Sequence, residues 1–312
     1  MNAAPDPVVD VCMLTWNTRD VTLDALRRLL DSAQGVPFRV FVRDNASSDG
    51  TADAIAAELP AVVLDRGRHN IGFAAGMNTL LAETTAAYVF LLNGDAWPEP
   101  GALGRLVEVA AAHPDAGVVA PLLLAPDGSV ERSTWPFPSL RLSLLYASGA
   151  RRLVPTARAD QWLLEDGWQH DRARWVGWAV GAALLVPRAV LQRVGGLDER
   201  FFMYGEDVEW CYRMKDAGLR VWFEPSAVVR HVRGASADQL FAADLPARKA
   251  LASSAVMRLR RGRGVTAVWR LLETAIAARV WWRARRTDDA AARHWARSVI
   301  RAHLGRVTDG AG

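Results

Sequence analysis

Residues Phe38 to Thr51 read FRVFVRDNASSDGT. The β-branched and aromatic run Phe38 to Val42 has strand length and character, and Arg43 to Thr51 is a polar turn that opens a helix over Ala52 to Leu59. The same grammar appears upstream, where the apolar run Val8 to Thr15 (VVDVCMLT) leads through Trp16 to Asp20 into a helical pattern from Val21 to Leu30. Downstream follow a short strand over Ala61 to Leu64, a helix opened by Asn70 to Asn78, a strand over Tyr88 to Leu92, a helix over Pro100 to His113 and a strand over Val118 to Leu124. Alternating strands and helices argue for an α/β fold with a parallel sheet flanked by helices. From Ala125 to Arg174 scattered prolines and aromatics, with the acidic Glu165 to Trp168, predict loops and short helices. Trp175 to Pro187 reads as one buried strand, followed by a helix over Ala189 to Val194, a strand over Arg220 to Phe223 and a polar segment, Pro225 to Ser236, that contains His231.

In open α/β sheets ligands lie at the carboxyl ends of the strands. Here those ends carry Trp16-Asn17, Asp44-Asn45 and Asn93-Gly94-Asp95, which are expected to converge on one crevice. The glycines between Asn70 and Asn78 follow the third strand and lack dinucleotide-fingerprint spacing, so hydride transfer is disfavoured. Farther along, Phe201 to Arg213 (FFMYGEDVEWCYR) reads as an aromatic loop feeding a helix with three carboxylates in its first turn. Acids at a helix start either cap the dipole on a solvated surface or, screened by neighbouring aromatics, supply a general base.

Charge is unevenly distributed along the 312 residues. Residues 1–247 hold 23 Arg/Lys and 30 Asp/Glu, a net of −7, whereas residues 248–312 hold 15 and 4, a net of +11. An acidic body over 1–247 is thus expected to carry a basic helical C-terminal extension over 248–312. Within it, Ala247 to Arg261 and Val265 to Arg286 read as Arg-rich helices, the second bearing Trp269, Trp281 and Trp282. Such a face suits either an anionic membrane surface or packing on the remaining protein with its basic side in water. No nucleic-acid module is recognisable. The two cysteines, Cys12 and Cys211, suggest neither a disulfide framework nor a zinc site and fit a reducing compartment. The longest uncharged apolar segment, Trp175 to Pro187, is too short to span a bilayer. A cytoplasmic protein is expected, soluble or peripheral at the inner face of the cell membrane.

Four elements, in order, carry a resemblance over roughly residues 8–236: Asp44 to Thr51, Asn70 to Asn78, Leu92 to Asp95, and Gly195-Gly196-Leu197-Asp198 running into Phe201 to Asp207. Together they resemble the inverting family 2 glycosyltransferases of GT-A fold, and within them the bacterial rhamnosyltransferase-like branch. The resemblance implies a catalytic domain over 1–247 with a nucleotide-sugar-binding, mostly parallel sheet flanked by helices, its nucleotide-binding half at about 8–124 and its acceptor-side half at about 125–247. It assigns Asp44 to the nucleotide base, with Thr15, Trp16, Asn17, Asn70 and Asn93 beside the donor, although Asp44 also suits an Asx-type cap of its turn. It assigns Asp95 to a Mg²⁺ or Mn²⁺ ion on the donor diphosphate, here with Asn93 in place of the family's first acid, and His231 to the same ion or to a structural role. Asp207, preceded by Glu206, matches the catalytic base. Trp178, Gly181 and Ala182 match an acceptor-side strand, with core packing as the alternative for all three and for Ala182 above all.

The implied reaction moves a sugar such as rhamnose from a dTDP- or UDP-linked donor to a hydroxyl of a cell-envelope glycan or a polyprenyl-diphosphate-linked acceptor, by single displacement. Two other readings stand beside it. A sugar nucleotidyltransferase would need a Gly-rich basic loop after the first strand, where Trp16-Asn17-Thr18-Arg19 stands instead. A catalytically silent carbohydrate-binding or scaffold protein would have no use for Asp44, Asp95, Glu206 and Asp207 together.

Overall fold

A computed structural model describes residues 6–155, 170–232 and 245–305. Two units emerge, one formed by residues 1–135 with 168–236 and the other by residues 136–167 with 237–312. The segment read as an acceptor-side half over 125–247 is thereby divided between them. The expected irregular stretch at Glu165 to Trp168 and the end of the polar segment, Arg233 to Ser236, lie outside the described residues.

The first unit opens with β1 (Val9–Thr15), α1 (Arg19–Asp31), β2 (Phe38–Asp44), α2 (Thr51–Glu58), β3 (Val63–Arg66), α3 (Phe73–Glu83) and β4 (Tyr88–Asn93). These are the alternations expected from sequence, with boundaries shifted by one to three residues. Then come β5 (Ala96–Pro98), α4 (Ala102–Ala112), β6 (Ala116–Leu124), β7 (Val130–Glu131) and β8 (Thr134–Trp135). After the second unit's first segment the chain returns through β9 (Arg174–Val176), β10 (Trp178–Ala179), β11 (Ala183–Pro187), α6 (Arg188–Val194), α7 (Glu206–Asp216) and β12 (Arg220–His231). The central sheet runs β3-β2-β1-β4-β11-β6-β12-β5, with β7 added to β6 and β9 to β12. Strands β3, β2, β1 and β4 are mutually parallel, as helical crossovers require, and β11 enters antiparallel to β4. Val11, Met13, Val42, Phe90, Leu92 and Leu185 fill the core from these strands, with Leu26, Leu29, Leu103 and Leu106 packed on them from α1 and α4.

Two expected strands differ from what is found. Trp175 to Pro187 is three short strands: β9 pairs with β12, β10 with β8 in a separate two-stranded sheet, and β11 inserts beside β4. Gly177 and the Gly181 turn interrupt the apolar run, and an apolar pattern does not record which partner each piece finds. The strand expected over Arg220 to Phe223 continues to His231, passing Pro225 through a register shift between Glu224 and Val228. The buried Glu224 carboxylate accepts from Ser226 N (3.2 Å), Ser226 Oγ (2.6 Å) and Trp222 Nε1 (3.4 Å), which satisfies the irregular backbone and lets a proline sit at a bulge. That extension carries His231 to the sheet's carboxyl-end rim.

The second unit is helical. Among its described residues are α5 (Leu140–Ser148), a 3₁₀ turn (Ala150–Leu153), α8 (Leu245–Arg286) and α9 (Ala290–His303). The two Arg-rich helices expected from sequence are the halves of α8, separated by a kink at Gly262, whose φ of 79° an L-residue rarely adopts. Arg270 donates to the carbonyls of Ala302 and His303, covering orphan acceptors at the end of α9. No helix among the described residues is long and apolar enough to cross a membrane.

Candidate active site

Strand register places the polar clusters side by side. Thr15 pairs with Asp44 across β1 and β2, and Leu14 pairs with Asn93 across β1 and β4. At about 4.8 Å per strand spacing, the ends of β2 and β4 stand roughly 10 Å apart. Asn93 N donates to Ala182 O (2.9 Å), and the neighbouring Gly181 N donates to Asp207 Oδ2 (3.2 Å). A continuous backbone path therefore links Asp44, Asn93 and Asp207.

Asp44 is 3% exposed. Its Oδ2 accepts from Ser47 N (3.0 Å), the Asx-type cap, while its buried Oδ1 has no hydrogen-bond partner. A buried carboxylate oxygen left unpaired is costly unless something donates to it, so this atom marks a place for an N–H or O–H from a ligand. Asn17, at φ 51°, receives Ser48 N on its Oδ1 (2.8 Å), and its own N donates to Ser47 Oγ (2.8 Å), locking the β1 and β2 loops together. Trp16 lies half-buried beside it. The hydroxyls of Thr15, Thr18 and Thr22 bond one another at 2.8–3.0 Å. Gly94 sits above them, where an added Cβ would meet Leu14 O at 2.9 Å, and this lets the Asn93-Gly94-Asp95 turn fold tightly onto β1.

At that turn, His231 Nε2 faces Asp95 Oδ1 (3.3 Å) and Asn93 Nδ2 (3.3 Å), while its Nδ1 bonds Glu131 Oε2 (2.8 Å). Burial disfavours the imidazolium, but hydrogen bonds and attraction from Asp95 and Glu131 outweigh it and raise the pKa to about 9. A carboxylate on one ring nitrogen leaves the other directed toward the Asn93-Gly94-Asp95 turn, the arrangement by which proteins orient metal-ligating histidines. The donor set of Asp95 and His231, with the Asn93 amide beside it, suits a hard divalent cation that keeps waters and bridges phosphates. Among the described residues no group of three or more His, Cys, Asp or Glu side chains forms a complete cage.

Asp207 lies in the first turn of α7 and is 8% exposed, its Oδ1 accepting from Val208 N (2.8 Å). Glu206 is buried with Oε2 unpartnered, and desolvation, with the charge of Asp207 adding to it, pushes its pKa well above the usual carboxylate range. Glu206 therefore favours the neutral form. The loop before α7 is strained, with Tyr204 at φ 70° and Gly205 at φ 95°. Phe202 O accepts from Phe73 N (2.6 Å) and presses on Gly72, where a Cβ would stand 2.5 Å from that oxygen. Trp178 stacks on Trp135 (centroids 4.6 Å apart, planes at 20°), and its buried Nε1 has no partner. Gly181 lies against Phe73 and Asp207, whereas Ala182 belongs to the hydrophobic core beneath the rim.

Three residues without an assigned role in the sequence hold this arrangement. Asn45 donates to Asn70 Oδ1 (2.8 Å) and accepts from Ile71 N (3.2 Å). Asn78 bridges Leu197 N and O (2.8 Å each). Both stand in the recognised motifs, and their amides, able to donate and accept at once, were the available signal. Glu131, a hundred residues from its partner His231, gave none.

Residues 10–156 match the family described as Glycosyl transferase family 2. The chain is similar to N-acetylglucosaminyl-diphospho-decaprenol L-rhamnosyltransferase of Mycobacterium tuberculosis, 34% identical over 210 residues covering 62% of this chain and 66% of that protein, slightly under two thirds of its length. It is also similar to the pre-mycofactocin glycosyltransferase of the same organism, 30% identical over 226 residues covering 68% of this chain and 43% of that protein. A mannosyltransferase from Pyrobaculum calidifontis, solved with GDP-Man and Mn²⁺, shares the fold at a TM-score of 0.60 and 18% identity, covering 98% of this chain and 89% of that one.

Proposed function

The chain belongs to glycosyl transferase family 2, and we propose that it moves a sugar of the rhamnose class from a nucleoside-diphosphate donor to a hydroxyl of a polyprenyl-diphosphate-linked glycan, inverting the anomeric centre. The observation that carries this reading is the register that sets Asp44, Asn93-Gly94-Asp95 and Asp207 along one rim of the sheet.

Asp44 Oδ1, buried and unpaired, would accept the ring N–H of uracil or thymine, in keeping with a UDP- or dTDP-linked donor. Trp16 and Asn17 flank that pocket. Asp95 and His231, with Asn93 beside them, would hold Mg²⁺ or Mn²⁺ at the donor diphosphate, which supplies charge neutralisation for the departing nucleoside diphosphate. Asp207 takes the proton from the acceptor hydroxyl as its oxygen forms the new bond to the anomeric carbon and the bond to the diphosphate breaks. Neutral Glu206 keeps a second negative charge out of the base's surroundings and has an O–H to donate. Trp178, supported by Trp135, offers an apolar face to the acceptor sugar, and Gly181 leaves room above Asp207. Thr15 braces the loop through its hydroxyl contacts. The basic C-terminal helices would hold the enzyme at the inner face of an anionic membrane, where such an acceptor resides.

Purified full-length protein with Mn²⁺ and an N-acetylglucosaminyl-diphospho-lipid acceptor, screened against a panel of nucleotide sugars, tests this. Acceptor-dependent release of nucleoside diphosphate from a dTDP- or UDP-sugar is expected. Nucleotidyl exchange with pyrophosphate in place of release would overturn it.

A further inference from the structure

Within the second unit the later half of α8 and α9 form an antiparallel pair closed by Ala277, Ala296 and Val299, against which Val280, Trp281 and Ile300 pack. Outside that small core lies an open cleft of about 520 Å³, lined by Trp281, His294, Arg297, Ile300 and Arg301. His294, Arg297 and Arg301 fall at i, i+3 and i+7 of α9, so they share one face of the helix. The lining combines two chemistries. Trp281 and Ile300 provide apolar wall, and Arg297 and Arg301 bring guanidinium groups, Arg297 with no carboxylate partner among the described residues. The Trp281 Nε1–H is buried and has no acceptor. A buried donor without an acceptor, beside cations and an apolar wall, calls for an anionic head joined to a hydrocarbon body.

The surroundings fit the same ligand. Trp282 and Trp295, 52% and 42% exposed, stand next to cleft residues, and Arg286 lies 3.4 Å over the Trp282 ring. Indoles with an apolar body and a polar edge, interleaved with arginines, are the composition of a bilayer interface. The +11 balance of residues 248–312 gives long-range attraction to an anionic surface, but a diffuse charge does not need a cleft or an orphan indole N–H.

We propose that this cleft is a binding site for a phosphorylated membrane lipid, its phosphate held by Arg297, Arg301 and the Trp281 N–H and its glycerol or first acyl carbons resting on Trp281 and Ile300. The inference deepens the membrane-side reading given above and is independent of whether the first unit transfers a sugar.

Full-length protein is sedimented with vesicles of phosphatidylcholine alone and of phosphatidylcholine mixed with phosphatidylglycerol. Wild type is expected to bind only the anionic vesicles. The double variant R297A/R301A should weaken that binding about a hundredfold, the usual scale for losing two hydrogen bonds to a charged group. R261A/R263A, which removes the same charge at the Gly262 kink outside the cleft, should weaken it by much less. W281F keeps an apolar ring and loses the N–H, and a further loss of about fivefold is expected. Equal weakening by the two double variants, or an unaffected W281F, would show attraction by diffuse charge and overturn the site. Protection of the protein by free inorganic phosphate without retention on any vesicle would overturn the lipid assignment. Donor turnover measured in parallel separates failure of the cleft from failure of the transferase reading.

Discussion

His231 and His303 are both buried, and their surroundings drive them in opposite directions. In the first unit, two carboxylates overcome the desolvation of His231 and raise its pKa to about 9. In the second, burial, reinforced by the nearby Arg270 guanidinium, lowers that of His303 to about 4, and its Nδ1 lies 3.3 Å from Ser254 Oγ. The contrast is one of design. The first unit sets two carboxylates, Asp95 and Glu131, against its buried His231, whereas the second contains Arg-rich helices and packs the buried His303 as a neutral ring against Trp269.

The largest test of this division is chemical. Asp207→Asn should lower transfer by about 10²–10⁴-fold with donor affinity nearly unchanged, as removal of a general base does. R297A/R301A should leave transfer to a soluble acceptor intact. If Asp207→Asn retained near wild-type turnover, the first unit's claim to the chemistry would fail.

Metal binding sharpens the histidine comparison. His231 is protonated at neutral pH without metal and must lose that proton to ligate, so apparent Mn²⁺ affinity should climb by up to about tenfold per pH unit from pH 7 toward 9. His231→Gln should flatten that slope, and Asp95→Ala should weaken binding of the donor diphosphate at every pH. Calorimetric titrations across the window measure both, and a pH-independent affinity in wild type would remove His231 from the ligand set.

Stability should show the opposite signs directly. A histidine raised from 6.5 to about 9 stabilises the metal-free fold fully below pH 6.5, and that contribution is lost as pH rises toward 9. One lowered from 6.5 to about 4 favours the fold above pH 6.5 and opposes it as pH falls toward 4, by at most roughly 3 kcal/mol. Urea midpoints of His303→Gln should therefore fall less steeply than wild type between pH 6.5 and 4, and parallel curves would contradict the assignment. Smallest is Gly72→Ala, whose positive φ and contact with Phe202 should cost about 1–3 kcal/mol and loosen the α7 loop, read as a lower midpoint with weakened turnover.

The alternating elements from β1 to β4 were legible because local chemistry and global fold agree there. FRVFVRDNASSDGT encodes a strand, a turn and the start of a helix within fourteen residues, and parallel pairing of such units needs little further information. What escaped the sequence is long-range. Trp175 to Pro187 gave one apolar signal for three strands with different partners. The continuation of β12 past Pro225 depends on Glu224 satisfying its own bulge, and the pairing of His231 with Glu131 spans a hundred residues. The helix α9 went unread, although Arg293, Arg297 and Arg301 recur at helical spacing on the face away from the buried Ala296, Val299 and Ala302, and Asp289 caps it by accepting from Ala292 N (2.9 Å).

The central claim is that one carboxylate, Asp207, activates the acceptor for a single displacement at the anomeric carbon. The anomeric configuration of the product, read by NMR from the one-bond carbon–proton coupling of the transferred sugar, tests it most directly. Inversion relative to the donor is predicted. A product that retains the donor's configuration would contradict the assignment of Asp207 and the reaction built on it.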